Sequence, residues 1–347
     1  MQAAVYRGHQ TVKVEPTPIP QIGPGELLVR VEACGICHTD LKKIAYDLLP
    51  PPRIYGHETA GVVVEAGPGA EGFRPGDRVA LFHHIPCRNC FYCRHRLYAQ
   101  CEVYKRVGIT AGFEPAGGGF AQYVRVMDWI VRGGVVRIPP RVSFDRACFV
   151  EPVNTCLKAV VKSEIQAGET VAVLGQGPIG LLFTMLLARR GPVVFATDVL
   201  EPRRHLARKL GASQAFDPTG NEAAEWILAA TEGRGADAVF VAAAGPGVVE
   251  QAMRLSRPGA RILLFAQTSA REKVELDGAG ICAQERTVLG CYSADIDLQQ
   301  ESAGLVFDGD LPVEDLISHR LPLDQIHAGI RMATHPDGHS LKIIVHP

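Results

Sequence analysis

The sequence predicts an α/β chain in two parts, an antiparallel, barrel-like β domain and a doubly wound parallel sheet. Three observations carry this. The first half is made of short alternating apolar runs set between Gly- and Pro-rich turns. From about Glu151 the apolar runs become continuous and alternate with helical periodicity, the pattern of strands covered on both faces. At 347 residues the chain also exceeds what one core usually organises.

Taken in order, Leu27-Leu28-Val29-Arg30-Val31-Glu32-Ala33, Thr59 to Glu65 and Asp77-Arg78-Val79-Ala80-Leu81 read as strands. The turns Pro24-Gly25-Glu26 and Phe73-Arg74-Pro75-Gly76-Asp77 feed two of them. In the second part, Val171 to Leu174 is a buried strand, followed by a Gly-rich turn and a helical pattern from Ile179 through Ala188. Val193 to Asp198 is the next strand, and the helix around Arg203 to Leu210 stops at Gly211-Ala212. Ala238 to Val241 and Arg261 to Phe265 continue the series. The tail from about Ala294 returns to mixed texture and ends in a strand over Leu341 to Val345. The expected boundaries are 1–150 with 294–347 for the first domain and 151–293 for the second.

A net charge of −1 and 47% hydrophobic residues describe a soluble globular protein and leave no basic excess for nucleic acid. Met1-Gln2-Ala3-Ala4-Val5-Tyr6 lacks the pattern of a signal peptide, and no apolar stretch is long enough to cross a bilayer. A cytoplasmic location is expected. Ten cysteines in such a chain point to metal or chemistry more than to disulfides. The scattered ones, Cys34, Cys148, Cys156, Cys282 and Cys291, are expected to be buried small hydrophobes.

Three motifs carry chemistry. Cys37-His38-Thr39-Asp40 and the later Gly56-His57-Glu58 supply the mixed thiolate, imidazole and carboxylate set of a catalytic zinc, which keeps one position open. The hydroxyl of Thr39 stands two residues from Cys37, where it can pass a proton to or from an oxygen at the metal. Cys87, Cys90, Cys93 and Cys101, spaced C-x2-C-x2-C-x7-C, suit a closed structural zinc in a lobe over about 86–102. Disulfides, an iron–sulfur cluster and redox-sensing thiols are the alternatives. On this reading the lobe is a surface loop with no part in the reaction. Gly175-Gln176-Gly177-Pro178-Ile179-Gly180 matches G-x-G-x-x-G between a strand and a helix, so a pyrophosphate can rest on the helix N-terminus. Asp198 ends the second strand about twenty residues on, where an acid binds a ribose 2′-hydroxyl. It favours NAD over NADP, although Arg203 and Arg204 stand close by.

Together with Gly61 and Pro75-Gly76-Asp77-Arg78-Val79, these motifs in this order resemble the zinc-dependent medium-chain dehydrogenases over essentially the whole chain. The resemblance implies a GroES-like β-barrel catalytic domain with an inserted Rossmann domain and an active site in the cleft. Glu151-Pro152 is similar to the polyol and threonine dehydrogenase branch. Carried over, Cys37 and His57 are zinc ligands, and Glu58 and Glu151 compete for the remaining place, one directly and one through water. Asp40 orients His57, or stands as a helix N-terminal carboxylate, or both. Lys42 stands where the family's relay histidine is expected and reads as an ordinary exposed lysine. Gly290-Cys291-Tyr292-Ser293 replaces the arginine by which sorbitol dehydrogenases read the sugar.

The implied chemistry is NAD-dependent oxidation of a secondary, polyol-like alcohol to the ketone, with two Zn2+ per chain, one catalytic and one structural. An L-threonine 3-dehydrogenase shares the chemistry, and activity on threonine against polyols separates the two. A non-catalytic, zinc-stabilised nucleotide-binding protein explains the lobe and the glycine turn but not Cys37, His57, Glu58 and Glu151 together. A zinc-free quinone reductase lacks both metal sets. The expected partners are a small alcohol or ketone, no nucleic acid, no membrane, and further copies of the chain in a homodimer or homotetramer through the Rossmann sheet edge. Tyr46, Tyr55, Phe113 and Glu114 are positioned to line a pocket, or to serve as core.

Overall fold

The computed structural model describes residues 1–70, 72–107, 117–266 and 273–347. The chain divides into two units, Met1–Asn154 with Ser293–Pro347, and Thr155–Tyr292.

The first unit is organised around the strand Leu27–Gly35. It pairs antiparallel with Glu58–Ala66, Tyr123–Val126 and Lys342–His346. The sheet continues through Arg78–Leu81 to Val135–Arg137 on one side and to Ile317–Pro322 on the other. Leu27, Val29 and Val31 pack with Val63, Val79, Leu81, Val124 and Val126 in one core, while Arg30 stays exposed. Each such side chain contributes about 1.5–3 kcal/mol by leaving water, so the alternation in the sequence decides which face turns inward. A second small sheet joins Thr11–Pro16, Gln2–Gly8 and Arg53–Ile54. None of these three is among the strands that the sequence predicts.

Register at the end of the main sheet assembles the chemistry. Gly35 pairs with Glu58 on one side and with Ile344 on the other. The residues at and just beyond these strand ends therefore meet, namely Cys37, His57 and Lys342. Cys37 then caps the helix His38–Ala45, with Thr39 and Asp40 in its first turn. Glu151 opens the helix Val150–Lys162, on the first unit's side of the boundary.

The second unit holds a six-stranded parallel sheet in the order Gln214–Phe216, Val193–Thr197, Thr170–Leu174, Ala236–Val241, Ser256–Leu264, Thr287–Gly290. Numbered along the chain this is 3-2-1-4-5-6, the doubly wound dinucleotide order. Every residue of Thr170–Leu174 is buried, as is Gly180–Leu187 in the following helix, Pro178–Ala188. That explains why these segments read as continuous apolar runs.

Among the described residues no helix is long and apolar enough to cross a membrane. All ten cysteines are free thiols. Cys34, Cys148, Cys156 and Cys291 are buried, but Cys282 is exposed, because its short helix Gly278–Ala283 buries no residue. Lys42 is half-buried, not exposed. Tyr55 is core, Tyr46 is exposed, and Phe113 and Glu114 lie outside the described residues.

Candidate metal centres and dinucleotide turn

The ligand atoms of Cys37, His57 and Glu58 lie within 4.8 Å of one another. Nδ1–H of His57 donates to Oδ1 of the fully buried Asp40 at 3.1 Å, which leaves Nε2 for a metal. Burial works against a charged His57, but Asp40 and Cys37 outweigh it and raise the pKa well above the ordinary histidine value. Glu58 is held from the last strand of the chain, since Nζ of buried Lys342 donates to both carboxylate oxygens at 2.7 and 2.6 Å. Burial disfavours the Lys342 ammonium, yet the adjacent carboxylate prevails and holds its pKa above the ordinary lysine value. A side chain at Gly35 would run into the Glu58 carboxylate, so the glycine makes room for the pair. A thiol, an imidazole and a carboxylate at this spacing are a donor set that fits zinc with a vacant position. Thr39 is exposed in the first turn beside Cys37.

Glu151 falls outside that close set. Nε2–H of His84 donates to its Oε1 at 2.7 Å, and both residues are buried. Burial would raise the carboxyl's pKa, but His84 more than offsets this and lowers it. Nδ1 of His84 lies 2.7 Å from the Tyr104 hydroxyl and 2.8 Å from that of Ser293. The His83 ring lies tilted by 41° to that of His84 with centroids 4.0 Å apart and makes an edge contact with His57 at 5.5 Å. Burial, then the neighbouring His84 and His57, keep His83 neutral. The sequence reading missed Lys342, His83, His84, Tyr104 and Ser293. One signal was available, for His83-His84 stands one residue past a predicted strand and precedes Cys87.

The four lobe cysteines also bring their sulfurs within 4.8 Å of one another. Sγ of Cys87 and Cys93 are 3.9 Å apart. A disulfide would need about 2.05 Å, whereas a tetrahedron of Zn–S bonds of about 2.3 Å has edges of about 3.8 Å. The Cys90 thiol is pulled down to about 6, first by the backbone N–H of Cys93. The set fits a closed zinc. The lobe is packed against the body of the first unit. Cys93, Tyr98, Cys101 and Tyr104 pack with Phe82, Ala294 and Ile296, and Tyr98 donates to Asp297 at 2.9 Å. Tyr98 within the lobe and Tyr104 just after it are the bulky side chains that anchor it.

In the second unit, Gly175 leaves the strand Thr170–Leu174 with φ +90°, a left-handed turn that suits glycine. Gly177 caps the helix that Pro178 and Ile179 open, and no side chain satisfies its N-terminus. A side chain at Gly180 would collide with the Gly175 carbonyl. This is a cradle that fits a pyrophosphate. Asp198 follows the strand Val193–Thr197, its oxygens accepting from Gln176 N at 2.7 Å and Leu200 N at 2.9 Å. Nη1 of Arg203 is 3.9 Å from Asp198, whereas Arg204 is tied to Glu201, Asp217 and the Asp198 carbonyl.

Comparison with known proteins agrees with both units. The family described as "Alcohol dehydrogenase GroES-like domain" matches residues 23–140, and "Zinc-binding dehydrogenase" matches 178–306. The chain is 27% identical to a sorbitol dehydrogenase of Bacillus subtilis, over 100% of this chain and 97% of the relative. It is 30% identical to an L-threonine 3-dehydrogenase of Pyrococcus furiosus, over 90% and 88%. A candidate zinc-binding dehydrogenase from Sinorhizobium meliloti, solved bound to NADP, superposes with TM-score 0.89 at 32% identity, covering 100% and 99%. By these matches over nearly its whole length, the chain belongs to the zinc-dependent medium-chain alcohol and polyol dehydrogenases, a family of oxidoreductases.

Proposed function

We propose that this chain oxidises a secondary, polyol-like alcohol to its ketone with NAD and runs the reverse reduction. The observation that carries the reading is the convergence of Cys37, His57 and Glu58 where the strand Leu27–Gly35 ends and the strand Glu58–Ala66 begins. Zinc held there would supply Lewis acidity that lowers the pKa of a substrate hydroxyl, and a nicotinamide would accept the hydride. The residues of the chain do the rest. Asp40 fixes the His57 tautomer, leaving Nε2 free to ligate. Thr39 takes the hydroxyl proton outward from beside Cys37. Glu58 and Glu151 are the two carboxylates that can complete the set, one committed to Lys342 and the other to His84.

The four-cysteine lobe holds the second zinc in this reading. Gly175, Gly177, Pro178, Ile179 and Gly180 cradle the pyrophosphate, and Asp198 with Arg203 faces the adenosine ribose. NAD is favoured because the Asp198 carboxylate repels a 2′-phosphate, while Arg204 is already engaged by acids. The NADP bound by the relative makes this the point to measure. The free thiols suit a reducing, cytoplasmic setting. The edge strand Thr287–Gly290 is the surface through which a homodimer or homotetramer would form.

A screen of polyols and simple secondary alcohols, read by NADH absorbance with NAD and NADP side by side, tests the reading. Cys37→Ala should abolish turnover and leave dinucleotide binding intact. Wild-type turnover by that variant refutes the assignment. Oxidation of L-threonine is the second reading, favoured by the relatives of that name, and threonine in the same screen decides it.

A further inference from the structure

Ser293 is held in the left-handed region, at φ +62°. For a residue other than glycine this conformation carries a cost of about 1–2 kcal/mol, and such strain persists where the surroundings require it. Its hydroxyl closes a triangle. Ser293 Oγ lies 2.8 Å from Nδ1 of His84 and 2.8 Å from the Tyr104 hydroxyl, which is itself 2.7 Å from that same nitrogen. The other ring nitrogen, through Nε2–H, donates to Glu151 at 2.7 Å.

Four distant segments thus meet at one ring. Further contacts hold these segments in place. Tyr104 follows Cys101, whose sulfur accepts from the Tyr104 N–H at 3.5 Å. The segment after Ser293 is bound to the helix carrying Glu151, because Asn154 exchanges two hydrogen bonds with the backbone of Asp295, at 2.7 and 3.0 Å. Phe82 and Tyr104 also pack near the His84 ring, with ring centroids 5.1 and 5.3 Å away and their planes tilted to it.

We propose that Ser293 and Tyr104 are positioning residues that, by holding Nδ1 of His84, fix the imidazole so that its Nε2–H sets the orientation of the Glu151 carboxylate. The inference rests on the reading that Glu151 serves the catalytic site. Left without its two hydroxyls, the ring can rotate or exchange tautomers, and the carboxylate then loses its fixed donor. Loss of such supporting contacts typically costs 10- to 100-fold in activity.

The test uses the zinc-loaded enzyme and the best alcohol of the screen. Ser293→Gly removes the hydroxyl but relieves the left-handed backbone, so a serine with only a structural role would give a variant as stable and as fast as the wild type. Tyr104→Phe removes the second hydroxyl and keeps the ring. The expected result is a 10- to 100-fold fall in kcat for each, KM changed less than about threefold, and shifted His84 ring resonances in 15N-histidine-labelled protein. In a Glu151→Gln background, Ser293→Gly should cost nothing further, since both act through the same carboxylate. Wild-type kcat and unmoved His84 resonances in Ser293→Gly overturn the proposal, as does a full additive loss on top of Glu151→Gln. If Glu151→Gln itself turns over at the wild-type rate, the reading of Glu151 fails, and the proposal with it.

Discussion

Replacing Lys342 with methionine should destabilise the first unit severely. The ammonium and the Glu58 carboxylate are 6% and 1% exposed, and Nζ reaches both oxygens at 2.7 and 2.6 Å. Methionine keeps the length and bulk of the side chain, so the loss is electrostatic. A carboxylate then remains buried with its cation gone, a situation that costs about 3–5 kcal/mol. For a unit of this size that is a fall in melting temperature of roughly 6–20 °C. Replacing both partners by apolar residues, Glu58→Leu with Lys342→Met, should recover most of the loss, because a well-packed apolar pair is often neutral against a buried ion pair. The assay is thermal and urea unfolding of the metal-free chain. The two tryptophans fall one in each unit, Trp129 in the first and Trp226 in the second. A Trp226→Phe background therefore isolates the transition of interest. Single and double variants within about 0.5 kcal/mol of each other and of the parent would refute the reasoning, and so would a double variant no more stable than Lys342→Met.

Three other outcomes follow from the structure. Arg125 donates through Nε and Nη2 to buried Glu26 at 2.6 and 2.7 Å and holds its carboxyl below the usual range. That stabilisation is present above the unfolded pKa of about 4.3 and is lost as pH falls through the lowered folded value. The stability gap between wild type and Glu26→Gln, about 1.5–3 kcal/mol near neutrality, should therefore close in acid, and a pH-independent gap in urea midpoints contradicts it. Asp198→Ser should lower the ratio of kcat/KM for NAD over NADP by more than about tenfold; an unchanged ratio removes Asp198 from cofactor choice. Cys90→Ser should reduce zinc content from two ions to one per chain by elemental analysis, and retention of both ions contradicts the lobe assignment.

The elements legible in the sequence are those whose burial follows a simple period. Leu27–Gly35 and Glu58–Ala66 announced themselves by alternation between turns, and Thr170–Leu174 by an unbroken apolar run bounded by glycine. Spacing likewise exposed the four cysteines and the glycine turn, since their ligands are held by neighbours in the chain. What escaped was set by pairing across long separations. Nothing local to Lys342 says that it will meet Glu58, because that depends on Gly35 lying between two partners at once. The strands Gln2–Gly8 and Thr11–Pro16 were passed over because their hairpin turns at His9 and Gln10, two non-glycine residues in the left-handed region, and no glycine–asparagine signal marks it. The role of Ser293 was hidden for a similar reason, as its meaning lies in a backbone angle and in three side chains remote from it.

The register that joins Gly35 to Glu58 and Ile344 has a bearing on how such an enzyme can be altered. Lengthening or shortening a loop leaves strand ends where they were, so surface segments can be exchanged at small risk to the metal ligands. A single inserted residue within Leu27–Gly35 is different in kind. It would turn every side chain beyond it to the opposite face of the sheet and set Glu58 against a residue that has a side chain, with no room left for the carboxylate. Anyone moving this chemistry onto another scaffold should therefore graft three adjacent strand termini with their alignment intact, and treat the connecting loops as free material.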